Sequence, residues 1–466
     1  MTLLDFFRRS ATAHPDEVAL VACGTELTYR HLDAWSATMA RALRRRGAAG
    51  SAVALPAVRE PWAYAAYLAI LRCGRPVTPF DPARPSAHIR RVLGIAGAGV
   101  VLDDATSLPA EPDGEPEGDR PAVSEDDVAY VLFTSGSTGT PKGIPIRHRH
   151  TASFLRYSIS HYAAGPGDRL SQTFGLTFDP SVFDLFVAWG SGAALVVPDR
   201  AQLLDPVRFV NEQWITHWYS VPSLVSVAHT TSTLRPGSMP SLVRSLFAGE
   251  QLTLAQAGLW ADAAPTSMVE NHYGPTELTV TVTGYRLPAD RDHWPRTSNG
   301  TVPIGSVYPH LEHRIDPVTG ELLVRGPQRF DGYLDPADNE GQFEPPAGPP
   351  VPAEHLYRTG DRVAIEDGAL VHLGRLDNQV KIAGQRVELG EIEAAVREHC
   401  GFAEVVVVAG RVLTAVYAGE PVGTAELRSR LRAHLPTHMI PKRFVACVRL
   451  PLNANGKIDR GACATM

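Results

Sequence analysis

Cysteine is scarce in this sequence: five in 466 residues, at positions 23, 73, 400, 447 and 463, an odd number with no CxxC pair. That pattern excludes a disulfide framework and a cysteine zinc site, and predicts reduced thiols in a cytoplasmic protein. Long hydrophobic runs are missing as well. No apolar stretch reaches the roughly 20 residues needed to span a bilayer. The opening MTLLDFFRRSATAHPDEVAL sets its charges after a brief apolar patch, so neither a signal peptide nor a membrane partner is expected. A dominant positive charge is lacking too. With 44 basic and 50 acidic side chains the formal charge is −6, which offers no field to a nucleic-acid backbone. The short IRHRH run at 146–150 reads as a solvated basic surface beside a helix start.

What is present is ordinary globular composition, 44% apolar and 20% charged, which excludes a mainly disordered protein and leaves room for a large enzyme of about three compact units. Within 28–48, Leu32, Trp35, Met39 and Leu43 recur at helical spacing, with Gly47 as a stop. SAVAL and GAGVVLDD read as short buried strands. SGAALVVPD, ITHWYSVPS and VRSLFAGE continue an alternation of strand and helix patterns to about residue 260. The expected fold is α/β: a large N-terminal domain of layered, mostly parallel sheets with helices, whose functional loops lie at the carboxyl ends of strands. Two Pro-rich segments, 107–126 and 344–354, are expected on the surface. Beyond them, Leu389, Ile392 and Val396 mark an amphipathic helix, and EVVVVAG and RVLTAVYAG two more strands, so a small α/β unit closes the chain.

LFTSGSTGTPKG at 132–143 cannot pack a core. Its glycines let backbone amides approach a ligand, its hydroxyls add donors and Lys142 adds a mobile charge, a combination that suits a polyphosphate. It is not a Walker A loop: Lys142 stands between Pro141 and Gly143, where that loop needs Gly and Ser or Thr. A dinucleotide fold is also a poor fit, since no GxGxxG follows an early strand.

NHYGPTE at 271–277, YRTGD at 357–361, GRLDNQVKIAGQRVELGEIE at 374–393 and PLNANGKIDR at 451–460 follow that loop. Together with TSGSTGTPKG they resemble, in order, the motifs of the adenylate-forming superfamily, which includes acyl-CoA ligases, luciferases and the adenylation domains of nonribosomal peptide synthesis. The ELGEIE and NGKIDR forms point to the peptide-synthesis branch. The resemblance implies attack of a carboxylate on the α-phosphorus of ATP, releasing pyrophosphate and leaving an acyl adenylate. It places Thr134, Ser135, Gly136, Ser137, Thr138 and Lys142 around the leaving phosphates, Tyr273 and Gly274 beside adenine, Thr276 on the α-phosphate and Glu277 on Mg²⁺. Asp361 would take the ribose hydroxyls, with Arg375 near the same sugar. Lys457 would bridge the substrate carboxylate and the α-phosphate as the catalytic lysine. The implied domains are 1–376 and a mobile 377–466, with a hinge at Asp377 and Gly384 beside the tunnel for a thiol arm.

TFDPSVFDLF at 177–186 resembles the segment that begins the amino-acid pocket. Asp179 stands where α-amino acid activators place a carboxylate for the substrate ammonium, against the plainer reading of a helix-capping aspartate. The remaining pocket positions are Pro180, Phe183, Tyr219, Leu246, Ala248, His272, Val280 and Thr281, a small and mostly apolar set. It most resembles that of stand-alone L-proline activators, from which Pro180, His272 and Thr281 depart; those departures leave room for another small apolar or cyclic amino acid. The expected protein is a free-standing ligase that loads a separate phosphopantetheinylated carrier protein. The alternatives are an acyl- or aryl-CoA ligase and a non-catalytic binding protein of the same fold.

Overall fold

The computed structural model describes all residues except 48–49, 115–120, 135–140, 347, 349–350, 378, 383, 403, 411 and 452–457. The helical spacing in 28–48 becomes the helix Tyr29–Arg45, whose first turn is capped by Thr28, its Oγ1 accepting from the His31 amide at 3.2 Å. Two other helices, Pro61–Arg72 and Pro180–Ser191, are buried along almost their whole lengths. A helix apolar all round needs neighbours on every side, and both share one hydrophobic cluster with strands of two different sheets, among them Val53, Leu55, Leu170 and Leu195.

The first of those sheets has five strands in the order Ala98–Val101, Ala52–Pro56, Val77–Phe80, Val128–Thr134, Lys142–Arg147, parallel except for the last pair. The second has nine. Its centre, Met268–Tyr273, Arg244–Phe247, His217–Ser220, Arg169–Ser171, Ala194–Val196 and Val18–Ala22, is parallel throughout, with antiparallel strands at both edges. These are the layered parallel sheets the sequence predicts. A third, antiparallel sheet of Glu312–Ile315, Glu321–Arg325, Phe343–Glu344, Leu356–Glu366 and Ala369–Arg375 follows; strand-like alternation from residue 357 onward marks its last two strands, and patterning does not reveal the other three.

The small C-terminal unit begins with the hairpin Gln379–Ile382 and Gln385–Glu388 and continues into the helix Leu389–Cys400. A three-stranded sheet, Val405–Ala409, Leu413–Ala418 and Arg443–Cys447, completes it. Ile392, Val396, Val407, Tyr417, Leu427 and Leu431 give it a core of its own. Part of the expected first surface segment is pinned to the helix Tyr29–Arg45, through Trp35 Nε1 to the Pro109 carbonyl and Thr38 Oγ1 to Asp113, each 2.9 Å. No described helix is long and apolar enough to cross a membrane.

Candidate active site

Parallel strands deliver their carboxyl ends to one edge of a sheet, and the cleft of this protein lies there. Thr134, Tyr219, Ala248 and Tyr273 each end or closely follow such a strand, and all four line it. Its far wall is the C-terminal hairpin, through Gln379, Lys381, Gly384 and Gln385.

The glycine-rich loop is closed by an antiparallel pair in which Thr134 faces Lys142. Thr134 Oγ1 is buried without a partner among the described residues, an orphan donor at the cleft rim. Lys142 Nζ lies 3.4 Å from Asp338 and 5.2 Å from the centre of the Tyr333 ring. At Gly143 a Cβ would sit 2.6 Å from Leu334 Cδ1, so a side chain there would have to displace the end of that leucine. Ser135, Gly136, Ser137 and Thr138 lie outside the described residues, as does Lys457. The residues flanking Lys457 are held within the C-terminal unit: Asp459 N donates to the Pro451 carbonyl at 2.8 Å, and Arg460 Nη1 pairs with Glu393 at 2.7 Å.

The strand Met268–Tyr273 delivers the next set. Gly274 passes so close to the following loop that a Cβ would meet Thr281 Cα at 2.5 Å. That loop holds two non-glycine residues in left-handed conformations, Thr279 at φ 60° and Val280 at φ 70°. Such backbone persists only when its surroundings fix it, and Gln328 does so. Its Nε2 faces the carbonyls of Leu278, Thr279 and Thr281 at 3.1, 3.3 and 2.9 Å. Glu277 is fully buried and accepts from the Tyr333 hydroxyl at 2.6 Å.

Asp361 gathers three partners: the Tyr273 hydroxyl at 2.6 Å, His372 Nε2 at 3.0 Å and Arg375 Nη1 at 3.1 Å. Burial alone would raise its carboxyl, but the His372 hydrogen bond and the Arg375 charge outweigh it and hold the group well below the usual carboxylate range. Arg375 also grips Asp377 with Nε and Nη2 at 2.8 and 2.7 Å. Gly384, at φ +76°, donates its amide to Glu250 at 2.8 Å, and a Cβ there would lie 2.4 Å from Val221 Cγ1.

Asp179 occupies the N-cap position of Pro180–Ser191, yet its side chain makes no capping bond. Enclosure and then the nearby Glu277 charge raise its carboxyl to about 7, against Lys381 and the Thr276 hydroxyl, which favour the ionised form. Since the Glu277 charge bears on Asp179, a cation beside Glu277 would offset that repulsion. Glu277 thus fits as a holder of Mg²⁺, a hard cation that takes one or two carboxylates together with phosphate oxygens and would neutralise charge on the phosphates. Among the described residues no cluster of three or more metal-ligating side chains exists.

The amino-acid pocket positions divide into two depths. Pro180, Tyr219, Ala248 and Val280 line the cleft beside Asp179. Phe183 and Leu246 instead face a small buried cavity behind Tyr219. His272 and Thr281 spend their hydrogen bonds inside the wall. His272 Nε2 lies 2.9 Å from the Tyr162 hydroxyl and 3.3 Å from Glu270, and its Nδ1 lies 3.1 Å from the Tyr308 hydroxyl, which also meets Thr281 Oγ1 at 2.8 Å. The expectation that all these side chains border a substrate is narrowed accordingly. Arg244, Arg286 and His161 complete the shell of Glu270 at 2.9, 3.0 and 3.2 Å.

Sequence reasoning passed over Gln328, Tyr162, Tyr308, Glu270 and Lys381. Only Lys381 carried a signal, since it sits inside GRLDNQVKIAGQ. Its Nζ lies 6.0 Å from the centre of the Tyr273 ring, in the cleft with Asp179 and Asp361.

Fold and cleft define an adenylation domain of the adenylate-forming type. Residues 7–334 match the AMP-binding enzyme family and residues 391–457 the AMP-binding enzyme C-terminal domain, so the chain belongs to that family. It is 34% identical over 498 residues to tyrocidine synthase 3 of Brevibacillus parabrevis, covering 99% of this chain but only 8% of that protein. Among solved structures it resembles IdnL7, with 39% identity, TM-score 0.73 and coverage of 100% and 98% of the two chains. It also resembles the Vibrio cholerae adenylation domain AlmE in complex with glycyl-adenosine-5'-phosphate, at 27% identity, TM-score 0.85 and the same coverage.

Proposed function

We propose that this protein activates an α-amino acid, with L-proline the favoured substrate, as its acyl adenylate. It then passes the acyl group to the phosphopantetheine thiol of a separate carrier protein. Another small apolar or cyclic amino acid is the alternative. One observation carries the reading: Asp179 is a carboxylate on the cleft wall that caps no helix, which suits an ammonium group and serves neither a fatty nor an aryl acid. The relatives support it, since AlmE was solved with glycyl-adenosine-5'-phosphate.

In this reading Thr134, Lys142 and residues 135–138 cradle the leaving pyrophosphate, Thr276 meets the α-phosphate, and Tyr273, Asp361 and Arg375 hold the nucleoside. Lys457 joins them for the first half-reaction. Here the hairpin bearing Gly384 and Lys381 faces the cleft, while none of the described residues flanking Lys457 lines it. That arrangement fits the second half-reaction, in which a thiol enters beside Gly384 after the small unit has turned about Asp377.

Exchange of labelled pyrophosphate into ATP across a panel of amino and aryl acids tests the proposal. A dominant L-proline signal is expected. Signal with aryl acids alone would sink the role of Asp179, and signal with another amino acid would replace only the substrate.

A further inference from the structure

Arg84 closes the turn between the strand Val77–Phe80 and the helix Ser86–Ile95 in the large unit, where its amide donates to the Asp81 carbonyl at 3.1 Å. Its side chain leaves that turn and reaches the small unit. Nη2 donates to Gln385 Oε1 at 3.4 Å, while Asp81 Oδ2 stands 3.9 Å from Nε. Across the same boundary is Glu391, in the first turn of the helix Leu389–Cys400. An acid at that position ordinarily faces the free amides of its own helix. Glu391 Oε2 instead is buried and accepts no hydrogen bond among the described residues.

The two units thus meet around one arginine. His88 from the large unit and His438 from the small unit line the cleft together with Arg84 and Glu391. Burial, followed by the Arg84 charge, pushes both imidazoles down to about 4, so they are neutral near pH 7. Of the charged groups that remain, Arg84 and Arg91 favour the ionised form of Glu391, Glu388 opposes it, and Asp81 acts on Arg84. Burial outweighs the two arginines and raises the Glu391 carboxyl from 4.5 to about 7. A buried acid with an unsatisfied oxygen works against the contact that buries it.

We propose that Glu391 is a positioning residue that limits how long the small unit stays in this orientation, with Arg84 as the group that holds it there. The inference rests on the hinge reading above, in which the small unit turns about Asp377, and deepens it. A carboxyl that is buried and unsatisfied here regains water when the unit turns away, so release of this wall between half-reactions is built into its contact. A group that binds its proton more tightly in one state stabilises that state in acid. Glu391 is neutral here below about pH 7 and ionised above, so this orientation weakens as pH climbs from about 4.5 past 7.

The test attaches spin labels to a ketone-bearing amino acid introduced in place of Trp214 in the large unit and Val448 in the small one, both exposed, and reads the distance distribution without turnover. Two populations are expected in the wild type, and the ratio of this orientation to the turned one should fall about tenfold from about pH 5.5 to about pH 8.5. Glu391→Gln should hold the ratio at its acidic value throughout. Arg84→Ala should lower it further at the alkaline end, and Arg84→Lys should restore most of it. Transfer from a supplied acyl adenylate to free pantetheine, taken relative to pyrophosphate exchange, should follow the same order. A wild-type ratio independent of pH, a pH dependence that survives Glu391→Gln and so belongs to another group such as Asp179, or a Glu391→Gln variant that loses this orientation as Arg84→Ala does would each overturn the proposal. A single population under all conditions would overturn it together with the hinge. Populations that shift as expected, in a protein without exchange on any amino acid, would sink the activation reading and leave the role of Glu391 standing.

Discussion

The two walls of the cleft are built on opposite principles. The wall in the large unit is held from behind at almost every point: Gln328 fixes the left-handed turn at Thr279 and Val280, and Tyr333 holds Glu277. Glu270, itself held by Arg244, Arg286 and His161, backs His272. The facing wall is a two-stranded hairpin of a unit with a separate core. It meets the large unit through single polar contacts such as Gly384 to Glu250 at 2.8 Å and Arg84 to Gln385 at 3.4 Å. Binding needs groups fixed before the substrate arrives, whereas an exchangeable wall needs contacts that can be released. Substitutions in the first wall should therefore alter recognition, and those in the second should separate the half-reactions.

The sharpest break is expected at Lys457. Lys457→Ala should lower amino-acid-dependent pyrophosphate exchange by about 100-fold to 1,000-fold, the range for removing one group that meets developing charge. It should still permit transfer from a supplied acyl adenylate to carrier protein. Near-normal exchange would show that the lysine has been misplaced.

Asp179→Asn comes next. Losing a hydrogen bond to a charged group costs about 1.5–3 kcal/mol, or roughly 10- to 150-fold in kcat/KM for the amino acid. The same residue sets a pH limb. With its carboxyl raised to about 7, it is protonated below that pH and ionised above, and only the ionised form attracts an ammonium. In the wild type kcat/KM should rise with pH through about 7 and then level off. In Asp179→Asn that limb should vanish; a limb that persists would belong to another group.

In the facing wall, Asp377→Pro is expected to leave pyrophosphate exchange near normal and slow thioester formation, because proline would fix φ at the proposed hinge. Loss of both half-reactions in a folded variant would assign Asp377 to the structure of the wall through its paired bonds with Arg375.

Much of this contrast was legible in the sequence. Apolar runs ending in turn residues located the central strands, and residues 28–48 gave a helix within a few positions of Tyr29–Arg45. The close approaches at Gly274 and Gly384, where a Cβ would meet Thr281 and Val221, come from the structure and were not read from the sequence. The third sheet was legible only in part. Strand-like alternation from residue 357 onward marks its last two strands, but the earlier ones, for example Glu312–Ile315 with the pattern exposed, exposed, exposed, half-buried, carry too little apolar alternation to stand out. Depth was not legible. Periodicity tells which face of an element is buried, but not that Phe183 and Leu246 lie one layer behind Tyr219, nor that His272 is consumed by Tyr162, Glu270 and Tyr308. Those facts depend on residues far apart in sequence, and Gln328, 47 residues from Thr281, is the plainest case.

Gln328 also gives the mildest test of the first wall. Its side chain is fully buried, and its Nε2 faces three carbonyls while its Oε1 lies 2.5 Å from His310 Nε2. Gln328→Ala would leave those carbonyls without their donor, at about 1–3 kcal/mol for a buried group left unsatisfied. The backbone at Thr279 and Val280 would then be free to relax from its left-handed conformation. Because Val280 lines the cleft and Thr276 opens the same segment, relaxation should raise KM for the amino acid more than it lowers kcat, with a Tm lower by several degrees. Gln328→Glu keeps the shape but loses the donor, so it should reproduce the KM effect. If it behaves like the wild type, the turn is held by packing alone, and the fixed character of this wall does not come from its hydrogen bonds.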